Sequence, residues 1–269
     1  MRTLTRIETS IPSRHLRRMM RLSILIPPGY YEGQVLYPVL YLNDGQDITG
    51  LSLESTIAGM LDTGKIPPFI TVGIHATADR LSLYGTAHQA DFAGRGDKAA
   101  AYTHFILQEL KPYLASTYRI RAEASSHYFA GCSLGGLSAM DIVWNHPEAF
   151  SRVGVFSGSF WWRSRDIGAG YVEATDRIMH AQVRAGMHRP GLKYWFEAGT
   201  DDETSDRNQN GIIDAIEDTL DLMWELWKKG YQPERDMRYH EVVGGEHNLD
   251  TWARAMPYFL TWLFDSQPE

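Results

Sequence analysis

One serine of the chain lies in a setting that could make it a nucleophile. Ser133 stands between Gly131 and Gly135 in the pattern Gly-x-Ser-x-Gly, with a strand pattern before it and a helical pattern after it. A serine on a sharp strand-to-helix turn has strained backbone, and side chains two residues away on either side would collide. The pattern alone also occurs in ordinary tight turns. In this strand–turn–helix context it predicts a serine that attacks a carbonyl group.

Such a serine needs an acid and a base, which follow it in that order along the chain. His247 is the favoured base because it lies between the last strand pattern and the last helix, whereas the rival His240 falls inside the strand pattern. The acid must follow the strand pattern Lys193–Ala198, and three adjacent carboxylates do so: Asp201, Asp202 and Glu203. These residues alone leave the choice open, since one carboxylate suffices to orient the imidazole.

The elements that must position these residues alternate between strands and helices. The strand patterns are Leu4–Ile11, Met20–Ile26, Val35–Leu42, Phe69–Ile74, His127–Ala130, Arg152–Phe156, Lys193–Ala198 and Met237–Val243. The helical patterns are Leu53–Leu61, Asp97–Tyr118, Leu134–Asn145, Thr175–Arg184, Asp214–Lys229 and Leu249–Phe264. This alternation predicts an α/β fold, a mostly parallel central sheet with helices on both faces. No Pro/Gly/Ser-rich linker divides the chain, so we expect one domain over 1–269, with a small cap insertion around 160–190.

Composition excludes several classes of protein. The 26 basic and 33 acidic residues give a net charge of −7, which argues against a nucleic-acid partner. A cluster of basic residues is interpreted as a solvated turn: Arg14, His15, Arg17 and Arg18. The single cysteine, Cys132, excludes an internal disulfide framework. No stretch approaches the about 20 apolar residues of a membrane span, and the N-terminus lacks the apolar core of a signal peptide. We therefore expect a soluble, cytoplasmic protein.

A second pattern lies next to the acid loop. Residues 206–217 match the twelve-residue EF-hand calcium loop, with glycine at position 6 and an apolar residue at position 8. The ligands would be Asp206, Asn208, Asn210, the carbonyl of Ile212, Asp214 and Glu217. This spacing predicts a structural Ca²⁺. Without the ion, the carboxylates of Asp206, Asp214 and Glu217 would face one another and repel. The alternative is a turn rich in Asp and Asn that caps the helix after it.

The sequence resembles the enterochelin-esterase-like branch of the α/β-hydrolases, to which feruloyl esterases and S-formylglutathione hydrolases are related. Four segments spread over most of the chain carry the resemblance: Val39–Gln46, Ala130–Leu137, Phe156–Trp162 and Gly244–His247. The resemblance implies an α/β-hydrolase fold and an acid three residues after Gly199, which favours Asp202. It also implies an oxyanion hole made by the backbone N–H groups of Leu134 and Gln46. Members of the family hydrolyse siderophore trilactones, cinnamoyl esters or simple acyl esters, so the likeness does not choose the substrate.

Together these features predict a serine carboxylic-ester hydrolase that forms an acyl-enzyme on Ser133 and needs no organic cofactor. Its partner would be a small-molecule ester, with no nucleic acid or membrane, and its oligomeric state is left open. A thioesterase or acyltransferase would use the same three residues, and a catalytically silent, calcium-binding scaffold is the alternative from another class. Trp161 and Trp162 follow a strand pattern, and we weigh substrate contact equally with buried packing for both.

Overall fold

Eight strands form one sheet in the computed structural model, which describes residues 3–76 and 78–265. The strands are β1 (Thr5–Ser13), β2 (Arg18–Ile26), β3 (Val39–Asn43), β4 (Ile70–Ile74), β5 (His127–Cys132), β6 (Arg152–Phe156), β7 (Lys193–Asp201) and β8 (Met237–Glu246). Their order across the sheet is β1-β2-β4-β3-β5-β6-β7-β8. The β1–β2 hairpin is antiparallel and joins β4 in antiparallel fashion, whereas β3 to β8 all run parallel to one another. The order and direction of the strands are those of the α/β-hydrolase fold that the sequence predicts.

Helices cover both faces of this sheet. They are α1 (Leu53–Asp62), α2 (Arg80–Leu83), α3 (Ala99–Phe105), α4 (Lys111–Thr117), α5 (Leu134–Asn145), α6 (Glu173–Asp176), α7 (Ile178–Ala185), α8 (Asp214–Lys228) and α9 (Leu249–Phe264). In β3, Val39 and Tyr41 belong to the core that includes α3, α4, α5, α7 and α8, while Leu40 and Leu42 belong to the core that includes α1 and α9. Successive side chains of a strand point to opposite faces, so a strand covered on both faces is apolar throughout.

The carboxyl ends of the parallel strands bring distant loops to one edge of the sheet. Ser133 follows β5, Ser157 follows β6, Asp202 follows β7 and His247 follows β8. Ligand sites of open α/β sheets lie outside this edge, because loops from several strands converge there. The fold therefore gathers residues that are more than a hundred positions apart in the sequence.

Two strand and turn expectations need correction at their boundaries. The third strand begins at Val39 rather than Val35, because Val35 and Leu36 are more than half exposed and Pro38 cannot donate to a ladder. The basic cluster does lie at the hairpin between β1 and β2, but Arg18 is the first residue of β2, and its guanidinium is 2.6 Å from the carboxylate of Asp79.

The helical expectations differ from the structure in three places. The polar stretch 75–96 contains the short α2, and the long helix expected over 97–118 is α3 and α4 joined by a π-helical turn at Ile106–Leu110. The helix expected at Thr175–Arg184 is broken into α6 and α7 at Arg177, whose φ and ψ are −73° and 107°. The guanidinium of Arg177 is 2.6 Å from Asp218 and 2.7 Å from Asp221, so ion pairs tie the break between the two helices to α8.

Residues 160–190 lie in the connection between β6 and β7, and α7 within this segment packs against α5 and α8. Gln182 of α7 donates to Asp141 of α5 at 2.9 Å, and the ring of His180 is 2.8 Å from the carbonyl of Asp218 in α8. Only the start of the segment, around Trp161, borders the cavity beside Ser133. In the part of the chain that the structure describes, no helix is long and apolar enough to cross a membrane. Cytoplasmic location stays a prediction of the sequence.

Candidate active site

The turn that carries Ser133 is held in a conformation that few residues adopt. Ser133 has φ 56° and ψ −124°, and its backbone N–H donates to the carbonyl of Phe156 at 2.8 Å. A Cβ added at Gly131 would lie 2.4 Å from the carbonyl of Gly135, and one added at Gly135 would lie 2.9 Å from the carboxylate of Asp44. Both glycines are therefore required by close approach. Such strain is typical of a nucleophile elbow, which holds the serine side chain clear of the sheet.

Of the three adjacent carboxylates at and just beyond the end of β7, only Asp202 is directed at the histidine. Its side chain is fully buried, and its Oδ1 lies 3.8 Å from Nδ1 of His247. Asp201 is exposed and pairs in register with Glu246, while the carboxylate of Glu203 accepts a hydrogen bond from the backbone N–H of Ala215. Asp202 is therefore the one carboxylate of the three that is both fully buried and next to the histidine.

Burial acts on both members of this pair. It raises the pKa of Asp202, while a hydrogen bond from Ser157 and the nearby His247 hold that pKa down. Burial also lowers the pKa of His247 below its ordinary value, the charge of Asp202 opposes this effect, and the charge of Arg80 adds to it. A lowered pKa keeps the imidazole neutral at neutral pH, which is the form that can accept a proton.

One cavity of about 370 Å³ joins these groups. It is lined by Ser133, Leu134, Ser157, Gly158, Ser159, Trp161, Asp202, Glu203, Ala215 and His247. Three residues that the sequence analysis selected as nucleophile, acid and base thus share one cavity. In this structure the hydroxyl of Ser133 is 3.3 Å from that of Ser159.

The two tryptophans that follow β6 have different positions. Trp161 is half-buried and lines the cavity, with the guanidinium of Arg95 4.9 Å from its ring centroid. Trp162 is 0% exposed, and a Cβ on Gly85 or Gly96 would come within 3 Å of its ring. The expectation of substrate contact is therefore wrong for Trp162, because neighbouring backbone covers the ring. For Trp161 it remains a prediction.

The two backbone groups expected to form an oxyanion hole lie at or next to the first residue of a helical segment at the same edge. Leu134 begins α5, where the first N–H groups have no partner within the helix. Gln46 lies in a 3₁₀ turn after β3, and its side chain donates to Asp44 at 3.1 Å and accepts from the N–H of Ala76 at 3.0 Å. Arg80 makes two hydrogen bonds to Asp44, at 2.9 Å and 2.8 Å, and so fixes this turn.

Two groups that support the acid were not predicted from the sequence. Ser157 directly follows β6 at φ 45° and donates to Oδ1 of Asp202 at 3.0 Å. Glu197 lies within β7, is 0% exposed and approaches the hydroxyl of Ser157 at 3.4 Å. Two signals could have found them: a polar residue at the carboxyl end of a buried strand, and a carboxylate inside an apolar strand pattern.

The loop expected to bind calcium adopts several features of an EF-hand loop. The carboxylate of Asp206 accepts from the backbone N–H groups of Asn210 at 3.1 Å and Gly211 at 2.8 Å. Gly211 has φ 85°, which only glycine adopts without strain. The amides of Asn208 and Asn210 both donate to Glu217, at 2.8 Å and 2.6 Å. Loop positions 1, 3, 5 and 12 therefore converge around one point.

One ligand expectation for this loop needs correction. The carboxylates of Asp206, Asp214 and Glu217 do not all face one another, because Asp214 turns toward Arg207. The Asp214 carboxylate accepts a hydrogen bond from the backbone N–H of Arg207 at 2.9 Å and lies 3.2 Å from the Arg207 guanidinium. Among the described residues, no three His, Cys, Asp or Glu side chains come together as a group that could hold a metal ion. The loop instead offers two carboxylates, two amides and the carbonyl of Ile212.

Comparison with known proteins identifies the class to which this fold and site belong. The chain is an esterase with the α/β-hydrolase fold, and residues 13–263 match the "Putative esterase" family, so the chain belongs to that family. It is 22% identical to the uncharacterized protein YbbA of Bacillus subtilis, over 94% of this chain and 95% of that one. A ferulic acid esterase structure is similar at TM-score 0.72 and 15% identity, covering 97% of this chain and 98% of its own. The enterochelin esterase of Shigella flexneri has TM-score 0.73 and 22% identity, covering 97% of this chain and 58% of that longer one.

Proposed function

We propose that the protein is a serine carboxylic-ester hydrolase in which Ser133, His247 and Asp202 act as nucleophile, base and acid. The observation that carries the proposal is one cavity that joins a strained serine to His247 and to the buried carboxylate of Asp202 beside it. Membership of the esterase family supports the reaction class. The position of the three groups after β5, β7 and β8 is the order that this fold uses.

The reaction would proceed in two acyl-transfer steps. His247 takes the hydroxyl proton of Ser133 as its oxygen attacks the ester carbonyl carbon, and Asp202 stabilises the imidazolium that forms. The N–H groups of Leu134 and Gln46 would hold the negative oxygen. The carbon–oxygen bond to the alcohol then breaks, and His247 returns the proton to the departing alcohol. Water, deprotonated by the same histidine, attacks the acyl-enzyme and releases the acid and Ser133.

The substrate would be a small-molecule ester with one group against Trp161. A cavity of about 370 Å³ accommodates a compact acyl or alcohol group, and the half-buried indole provides its apolar wall. Similar proteins are named as ferulic acid and enterochelin esterases, so esters of aromatic acids are the first class to test.

The test is an activity screen over p-nitrophenyl esters of graded chain length, feruloyl esters, siderophore lactones and thioesters. We expect turnover of at least one oxygen ester, and labelling of the wild type by a fluorophosphonate. Ser133→Ala is the matched control and should neither turn over nor label. A wild-type protein that neither hydrolyses any ester nor labels would instead indicate a silent scaffold.

We further propose that residues 206–217 bind Ca²⁺ as a structural ion. The support is the convergence of Asp206, Asn208, Asn210 and Glu217, together with the positive φ of Gly211. Ca²⁺ takes six to eight oxygens in a flexible shell. Rotation of each asparagine side-chain amide by 180° would point its oxygen, instead of its N–H groups, at the ion. Glu217 would supply both of its carboxylate oxygens. The ion has no step in the ester reaction.

A further inference from the structure

Glu197 occupies an unusual place for a carboxyl group. It lies in β7 between β6 and β8, is 0% exposed, and shares with Trp195 the face of the sheet that packs against α9. An ionised carboxylate is costly in such a place unless it is paired or fully hydrogen-bonded. Burial, together with the negative charge of Asp202, raises the pKa of Glu197 to about 8. The carboxyl group is therefore mostly protonated at neutral pH.

The hydrogen bonds around Ser157 support this protonation independently. A serine hydroxyl has one hydrogen to donate and two lone pairs to accept with. Trp252 donates to it from Nε1 at 2.8 Å, while Asp202 at 3.0 Å and Glu197 at 3.4 Å both place carboxyl oxygens beside it. Ser157 can donate to only one of these two groups. Each of these groups has a matching hydrogen-bond partner when Ser157 donates to Asp202 and a protonated Glu197 donates to Ser157.

The two carboxyl groups also have oxygens that point into the protein interior. Within the described residues, Oε1 of Glu197 and Oδ2 of Asp202 are buried and make no hydrogen bond. Two negative charges that meet at one hydroxyl in such a place would repel each other strongly, because the local dielectric is low. One proton on Glu197 removes this repulsion.

We propose that Glu197 is a positioning residue that must carry a proton for the site to work, because its acid group and Ser157 form a chain of donors that holds Asp202 against His247. This inference rests on the proposed function and adds a requirement to it. Loss of the proton would turn the Ser157 hydroxyl toward Glu197 and bring a second negative charge beside Asp202.

The other titratable groups around Glu197 do not account for a loss of activity above pH 8. Burial lowers the pKa of His240, the register partner of Glu197 on β8, so His240 ionises on the acid side. Arg254 of α9 lowers the pKa of Glu197, but arginine keeps its charge over the whole working range. Cys132 on β5 is buried, and its pKa is raised well above its ordinary value. Tyr239 on β8 is likewise shifted upward by burial, with its pKa above the alkaline range of assay. His247 faces Asp202 and ionises on the acid side, because its pKa is lowered.

The experiment measures the second-order rate of fluorophosphonate labelling at Ser133 from pH 5 to pH 10. The wild-type rate should rise as His247 loses its proton and then fall above pH 8, by about tenfold per pH unit for a single ionisation. Glu197→Gln keeps a donor toward Ser157 and cannot ionise, so its rate should stay on the plateau to pH 10. Asp201→Asn removes an exposed carboxylate from the same strand and should keep the wild-type fall.

Thermal unfolding supplies a second readout on the same variants. A raised pKa stabilises the folded state at low pH, and this contribution is lost as pH rises to the folded-state value. Glu197→Gln should therefore gain in Tm over the wild type between pH 5 and pH 8, and the difference should then level off.

The outcomes separate this inference from the proposed function. Wild-type labelling that stays flat above pH 8, or an alkaline fall that persists in Glu197→Gln, overturns the role of Glu197 and leaves the esterase proposal standing. No labelling of the wild type at any pH overturns both. Should Glu197→Gln fail to fold, the wild-type curve alone decides, since a flat alkaline side contradicts the proposal.

Discussion

The turn that carries Ser133 is held by backbone, whereas the Asp202–His247 pair is held by side chains from distant elements. Around Ser133 the constraints are two glycines at close approach and a backbone hydrogen bond to Phe156. Around Asp202 the constraints are the Ser157 hydroxyl, the Trp252 indole on α9 and the buried Glu197.

This difference has a consequence for how each half of the site responds to change. A side chain added at Gly131 or Gly135 meets backbone or a buried carboxylate, so the turn cannot relax around it. The acid half depends on hydrogen-bond donors and on the charge state of its neighbours. We therefore expect substitutions at the Ser133 turn to abolish activity, because they displace or remove the nucleophile. Changes around Asp202 should lower activity by degrees that depend on charge and pH.

The largest effect is expected from removing the reacting groups themselves. Ser133→Ala and His247→Ala should each lower kcat by several orders of magnitude, on the order of 10⁶ where such residues act as a unit. The double variant should lose little more than either single variant. Turnover near the wild-type level in either single variant would exclude that residue from the assigned role.

Changing the charge of the acid should produce the next largest effect. Asp202→Asn should lower kcat by roughly 10³–10⁴, because the imidazole loses the carboxylate that orients it. Asp201→Asn is the matched control, since that carboxylate is exposed, and Glu203→Gln should also have a small effect. A large loss in Asp201→Asn with little change in Asp202→Asn would show that the acid has been assigned to the wrong neighbour.

The same contrast explains which parts could be predicted from the sequence. The elbow is a local pattern, and α5, β6 and α9 have the predicted boundaries because runs of apolar residues mark these elements. Local signals mark Ser157 as a candidate, but its contact with Asp202 and with Trp252 could not be predicted, because these residues lie 45 and 50 positions from Asp202 in the sequence.

Two side chains show the limit of a pattern. Trp161 and Trp162 are identical in type and adjacent, yet only the packing of Gly85 and Gly96 decides that Trp162 is enclosed. Asp214 matches a ligand position of the calcium loop, but the intervening Arg207 gives it an ion-pair partner. In both cases a tertiary contact overrides what the local spacing indicates.

The smallest effect is expected on the loop next to the acid. Asp206 lies only a few residues after Asp202, so an ion at residues 206–217 would restrain the segment that carries the acid. A ligand that binds only the folded state stabilises it by about 2.7 kcal/mol at a hundredfold excess over Kd, which corresponds to about 5–10 °C in Tm for a chain of this size. Removing calcium with EGTA should lower Tm by that amount and lower kcat more than it raises KM.

The variant Glu217→Gln distinguishes the ion from the loop itself. Among the described residues and without an ion, the carboxylate of Glu217 accepts hydrogen bonds from the amides of Asn208 and Asn210, and a glutamine oxygen can accept them too. Glu217→Gln should therefore lower Tm in calcium buffer and match the wild type in EGTA. Gln209→Ala, at a loop position that supplies no ligand, should keep the calcium response. A Tm that is unchanged by chelation, with no ion found by native mass spectrometry, would reduce the loop to a turn that caps α8, because the hydrogen bonds of Asp206 and Asn210 suffice for that role.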